Sequence, residues 1–232
     1  MAKQTKCKNC GLENPYYQLK CKDCHSYIRR RVVNIELWEN IGKVIESPSK
    51  AFENIIFAEH KNFLILMGVL FSLSILADLN LVSNIINEVS LISTAFISFG
   101  IILGSSLLNA LILKFTFLFL GSRTRILDNF YLTIFASVPQ IFSFIILFPV
   151  QLALFGEHWF TFNPSPIAFK ETQSFILLGL EGVLFLWSLV LLFFAFKVQT
   201  DNFIQAFLGV FISFFMIYIL PLIILQSFFL TM

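Results

Sequence analysis

Four cysteines carry the sequence's clearest chemistry, and all of them lie in one stretch, CKNCGLENPYYQLKCKDCH, from Cys7 to His25. They form two CxxC pairs, Cys7/Cys10 and Cys21/Cys24. His25 follows the second pair, which therefore also reads CxxCH. Thiols at this spacing suit three chemistries: a tetrahedral metal site, covalent haem attachment or a redox dithiol. Each belongs to a different compartment, so the elements around the thiols decide among them.

The rest of the chain reads as membrane. Of 232 residues, 57% are hydrophobic, 30 are phenylalanine and only 13% are charged, with a mean hydropathy of +0.82. A soluble domain averages about 45–50% apolar and about 25% charged. Charge is also segregated: residues 1–61 hold 11 Lys/Arg against 7 Asp/Glu, and residues 62–232 hold 5 against 7. Met1 to Lys8 is polar and lacks the apolar core of a secretory signal, which leaves this head on the cytosolic side. A span needs roughly 20 apolar residues to cross about 30 Å of hydrocarbon. Five segments qualify: Asn62–Leu81, Leu91–Leu120 as one tilted helix, Phe130–Phe155 with Pro139 and Pro149 inside it, Phe175–Phe196, and Phe203–Leu230 interrupted by Pro221. Arg123 and Arg125, Lys197 and the 11 cations of the head orient them by the positive-inside rule. The N-terminus is then cytosolic and the C-terminus outside. Trp159, in the outer loop from Gly156 to Ser174, suits an interfacial position.

This topology weighs the three chemistries. Haem attachment takes place outside the cytosol and leaves Cys7 and Cys10 unexplained. A redox dithiol needs one pair beside a βαβ pattern, which is missing. Two pairs suit a structural Zn²⁺ with four thiolate ligands, Cys7, Cys10, Cys21 and Cys24. The ten residues between Cys10 and Cys21 allow a short hairpin, and Gly11 suits a tight turn over the metal. A segment this small has no core of its own, so the metal supplies its folding free energy. His25 is expected to be a surface neighbour. The zinc ribbon is expected over residues 1–28, amphipathic juxtamembrane helices over 29–61 and the five-span domain over 62–232.

In the juxtamembrane stretch, Leu37, Trp38, Ile41, Val44 and Ile45 recur at helical spacing, and Phe52, Ile55 and Ile56 mark a second helix. Ser47 can cap the second and Pro48 suits its first turn. Arg29, Arg30 and Arg31 fit either contact with anionic lipid or a solvated turn. Within the spans, Asp78, Glu181 and Gln140 are the polar candidates, because polar groups in hydrocarbon are costly. Glu181 fits a polar path, a helix–helix hydrogen bond with a partner such as Gln140, or an outer-interface position. Gly100 and Gly104 form a GxxxG, which serves helix packing or dimerisation. Neither a nucleophile elbow, an HExxH, a Walker loop nor a paired-carboxylate motif occurs.

Three further stretches carry a family resemblance: Trp38 with SPSKAF (Ser47 to Phe52), YLTIFASVP (Tyr131 to Pro139), and WSLVLLFFAFKVQTDNFIQAF (Trp187 to Phe207). In order and spacing, residues 38–225 resemble the Yip family, five-span proteins named for interaction with Ypt/Rab GTPases. Where eukaryotic members carry DLYGP and a GY element, this chain reads SPSKAF and IFASVP. A ribbon fused to such a body resembles prokaryotic members, implying a bacterial cytoplasmic membrane. The two CxxC pairs ahead of spans also resemble the Arv family of lipid-homeostasis proteins. The fold class is therefore all-α integral membrane, with five transmembrane helices behind a zinc ribbon and an amphipathic bridge. The expected function is a non-enzymatic adaptor or scaffold, with a cytosolic protein partner, membrane lipids around it, scope for a homo-oligomer, and no nucleic acid. The alternative is a transporter or lipid-handling protein with a polar path past Asp78, Gln140 and Glu181.

Overall fold

The computed structural model describes residues 4–83, 91–160 and 165–230, with only the backbone described at 79–83, 91–95, 157, 160 and 228–230. The side chain of Asn80, the junction between the first two apolar segments and residues 161–164 of the outer loop lie outside it. Two short antiparallel strands, β1 (Gln4–Lys6) and β2 (Glu13–Pro15), open the chain. Helices α1 (Leu37–Glu46), α2 (Pro48–Phe57), α3 (Leu64–Ser83), α4 (Leu91–Phe119), α5 (Ile126–Ala136) and α6 (Val138–Phe142) follow. A π-helical turn (Ser143–Leu147) leads into α7 (Phe148–Phe155), then come a 3-10 turn (Gly156–Phe160), α8 (Pro166–Phe169) and α9 (Glu171–Thr200). Helix α10 (Phe203–Phe214), a second π-helical turn (Phe215–Ile219) and α11 (Leu220–Leu230) complete it.

Among the described residues, four helical stretches are long and apolar enough to cross a membrane: Phe96–Phe119, Val138–Phe155, Glu171–Thr200 and Phe203–Ser227. Their outer faces carry large apolar side chains; on α10, Phe203, Ile204, Phe207 and Phe211 are all exposed. Such a stripe is a liability in water and at home in hydrocarbon. The first expected span corresponds to α3, whose apolar stretch is described over Leu64–Asp78.

The chain divides into two compact units. One comprises Met1–Leu64, Ala110–Ala136 and Leu191–Ile212; the other comprises Ile65–Asn109, Ser137–Val190 and Ser213–Met232.

In the first unit, α1 and α2 form a hairpin around Ser47 and pack on α5. Pro48 takes the first turn of α2, as expected. Ser47, however, makes no side-chain cap; its backbone carbonyl accepts from Lys50 and Ala51 instead. From Asp128 to Ala136, α5 is buried on every face. The expected span from Phe130 is thus broken after Ala136, because Pro139 lacks an amide and its ring excludes the carbonyl four residues back. The buried face of α10 includes Gln205, which accepts from Ser122 Oγ (2.7 Å) and donates to the Leu120 carbonyl (2.8 Å). Asn129, fully buried, donates to the Ala110 carbonyl and accepts from Gln199 Nε2 (2.9 Å). Polar groups inside and apolar groups outside is the arrangement that hydrocarbon demands. Gly209 has a packing reason: a Cβ there would lie 2.7 Å from the Phe196 ring and 2.9 Å from that of Phe117.

The cysteine segment is bound into this unit. Arg29 donates to the carbonyls of Tyr17 (2.6 Å), Gln18 (3.2 Å) and Phe57 (3.3 Å), with its guanidinium 4.0 Å from the centre of the Phe57 ring. Tyr16 donates to Glu53 (2.5 Å), and Arg125 lies over the Tyr17 ring (4.8 Å). Arg31 pairs with Glu59 (3.0 Å). For Arg29 the expectation of lipid or a solvated turn is therefore corrected, since carbonyls of the cysteine segment and of Phe57 hold it; Arg31, in an exposed pair with Glu59, stays at the solvated surface.

In the second unit, both π-helical turns begin six residues before a proline, at Ser143 ahead of Pro149 and at Phe215 ahead of Pro221. Each proline removes one amide and crowds the carbonyl four residues back; a widened turn relieves that clash. Trp159 is buried against Phe155 and Leu177. Gly100 and Gly104 make no close contact, since a Cβ on either would meet nothing within 4 Å. The packing use of the GxxxG is absent within the described chain.

Candidate metal centre and polar cavity

Two similar turns bring the four thiols together. The Cys7 amide donates to the Leu12 carbonyl, and the Cys21 amide to that of Ser26, both at 2.9 Å. The residue after each second cysteine has left-handed backbone: Gly11 at φ +75° and His25 at φ +56°. His25 thus has a backbone role that its side chain does not announce. Pairing of β1 with β2 closes the first turn at its base, and pairing of Lys20 with Tyr27 closes the second.

The sulfurs of Cys7 and Cys24 lie 3.5 Å apart, as do those of Cys10 and Cys21, and all four lie within 4.8 Å of one another. A disulfide needs about 2.05 Å, so the four are free thiols. A tetrahedral ion with bonds to sulfur of about 2.3 Å has sulfur–sulfur edges of about 3.8 Å. The cluster fits that geometry, and the four cysteines could hold a metal ion. Both 3.5 Å approaches run between the two CxxC pairs.

Surrounding donors favour thiolate. The Asn9 amide approaches Cys7 Sγ (3.4 Å), and Ser26 Oγ lies 3.2 Å from Cys7 Sγ and 3.0 Å from Cys24 Sγ. The Ser26 hydroxyl and amide pull the Cys24 thiol down to about 6, and Ser26 lowers Cys7 as well. Cys10 rises to about 12: the Leu12 amide opposes the rise, but sharing a proton with Cys21 and burial outweigh it. Asn14, fully buried, donates to the Leu12 carbonyl (2.9 Å) and to Cys21 Sγ (3.5 Å), and accepts from the Lys22 amide (3.0 Å). It couples the two turns to one sulfur. Sequence reasoning missed Asn14 and Ser26, because nothing in ENP or CHS marks either as a neighbour of sulfur.

The second site lies wholly in the second unit. A cavity of about 330 Å³ is lined by Asp78 from α3, Gln140 from α6, Ser143 from the first π turn, Glu181 from α9 and Tyr218 from the second. All three polar residues singled out in the spans meet here. Gln140 donates to Asp78 Oδ2 (3.1 Å) and accepts from the Tyr218 hydroxyl (2.7 Å). Glu181 does not pair with Gln140; it accepts from Gln151 Nε2 (2.6 Å). Tyr218 and Ser143 were not foreseen. Their only signal was a hydroxyl near Pro221 or Pro149, and the π turns that place them need the fold.

Compared with known protein families, with characterised proteins and with solved structures, the chain matches none.

Proposed function

We propose that this chain is a non-enzymatic, five-span membrane adaptor of the Yip type, whose zinc-bound head offers a rigid docking face to a cytosolic protein. The observation that carries this reading is the anchoring of the head through Arg29, Tyr16 and Tyr17, which holds it against α2 and α5. A head so held keeps Tyr27, 60% exposed, and Trp38 on α1, 80% exposed, available without being a flexible tether. Zinc is supported by the four-thiolate geometry. Orientation is supported by charge: 15 of the 16 Lys and Arg residues fall in the first unit, leaving only Lys170 in the other. The first unit also contains residues 120–125 and 201–202, the two loops assigned to the cytosol.

Cross-linking in native membranes, comparing the unaltered chain with Tyr27→Ala and Trp38→Ala, tests the adaptor role. Loss of a specific cross-linked protein in either variant is expected. An identical cross-linking pattern in properly inserted variants would remove the reading. An impermeant thiol reagent applied to intact cells tests the orientation, and labelling of the head from outside would overturn it.

A second reading, transport or lipid handling in a bacterial cytoplasmic membrane, draws on the meeting of Asp78, Gln140 and Glu181 in one cavity. It predicts a flux lost in Glu181→Gln while the head stays metal-loaded.

A further inference from the structure

We infer that the cavity of the second unit is a binding site for a small organic ammonium ion with an apolar body and no phosphate. The inference is independent of the adaptor reading and uses the same cavity as the transport reading.

The walls define the ligand. Among the described residues that line the cavity, none is Lys or Arg and two carry carboxyl groups, Asp78 and Glu181. Each receives a neutral amide, from Gln140 and Gln151 respectively. Two acids supported only by neutral dipoles, in helices that expose apolar faces, lack a counter-charge that the protein itself supplies. Ser143, 7% exposed, lines the same cavity and offers its hydroxyl to a ligand's polar group.

The remaining wall selects the ligand's body. Phe185, Phe214 and Tyr218 line the cavity, with Phe185 set edge-on to Tyr218 (5.2 Å) and to Phe214 (6.1 Å). Aromatic faces beside acidic groups recognise quaternary and other organic ammonium ions through cation–π attraction. A volume of about 330 Å³ lies at the small end of the roughly 300–1,000 Å³ of ligand pockets, too little for a large amphiphile. A phospholipid headgroup would bring a phosphate toward two carboxyls with no cation to receive it, so a free ammonium is the occupant.

The test is equilibrium binding of radiolabelled benzyltrimethylammonium to the full chain in phosphatidylglycerol nanodiscs. The permanent charge of the probe separates cation binding from proton uptake. Saturable binding at one site is expected, with no displacement by excess benzoate or benzyl alcohol. Glu181→Gln and Asp78→Asn should each weaken it about tenfold or more, as loss of one partner in a buried charge pair does. Leu222→Trp, which fills the cavity and leaves both acids in place, should abolish it. Each variant is accepted only with an unchanged gel-filtration profile and unchanged metal content. Absence of saturable binding, equal displacement by benzoate or benzyl alcohol, or full binding in Leu222→Trp would overturn the inference. So would displacement by phosphatidylcholine added to the nanodiscs.

Discussion

Asp128→Asn should weaken the unit that carries the cysteines far more than the loss of an exposed ion pair. The Asp128 side chain is 1% exposed and receives Lys61 Nζ at 3.1 Å, Arg125 Nε at 2.7 Å and Arg125 Nη2 at 3.0 Å. Lys61 is 10% exposed, and burial already lowers its pKa. An Asn keeps the shape and removes the charge, leaving a buried ammonium with neutral acceptors, the amide oxygen of that Asn and the Ile55 carbonyl, and no counter-charge from position 128. Breaking one side of such a pair costs about 3–5 kcal/mol, whereas an exposed pair is worth about 0–1 kcal/mol. Arg31–Glu59, at 57% and 27% exposed, is the exposed comparator. At about 2–4 °C per kcal/mol for a chain of this size, Asp128→Asn should lower the midpoint of heat-induced loss of monodisperse protein by roughly 6–20 °C. Glu59→Gln should lower it by no more than about 4 °C. The assay is gel filtration of detergent-purified protein after brief heating. Adding Lys61→Met to Asp128→Asn should restore most of the loss, because Arg125, 39% exposed, can turn to water. Equal shifts for Asp128→Asn and Glu59→Gln, or no recovery in the double variant, would refute the argument from an uncompensated buried charge.

Elemental analysis of the purified chain should find one zinc per chain, and Cys21→Ser should lose it together with protection of residues 13–28 from protease. His25→Gly should keep full metal loading and His25→Val should lower it, read by the same analysis, because φ +56° suits glycine and strains a β-branched residue. Gly209→Ala should destabilise by about 1–3 kcal/mol, measured as a lower heating midpoint, because the Phe196 and Phe117 rings occupy the space of its Cβ. Arg29→Ala should speed hydrogen exchange in residues 13–28, and Arg30→Ala should not, since the hydrogen bonds to Tyr17, Gln18 and Phe57 belong to Arg29.

Much of the architecture was legible because its signals are local. Long apolar runs need only length and composition, so the four helices long enough to span were readable directly. The two CxxC pairs were readable for the same reason: two residues between thiols set a turn that aims both at one point. Prolines misled in one place and informed in another. Pro139 looked like an interruption within a span and instead ends α5; Pro149 and Pro221 each sit behind a π turn. The arginines at 29–31 were ambiguous because a guanidinium suits lipid phosphate, water or carbonyl groups equally well in isolation.

By itself, the sequence determined what is expensive to place: four thiols, a basic head, and a handful of polar groups within apolar helices. Only tertiary structure decided what each of those groups meets. Asp78, Gln140 and Glu181 are scattered over more than a hundred residues, yet they line one cavity. Gln151 rather than Gln140 satisfies Glu181, and Arg29 serves the head rather than the lipid. The physical reason is that a helix period fixes which residues share a face. Which faces meet depends on side-chain packing summed over the whole unit, and no short stretch of sequence contains that sum.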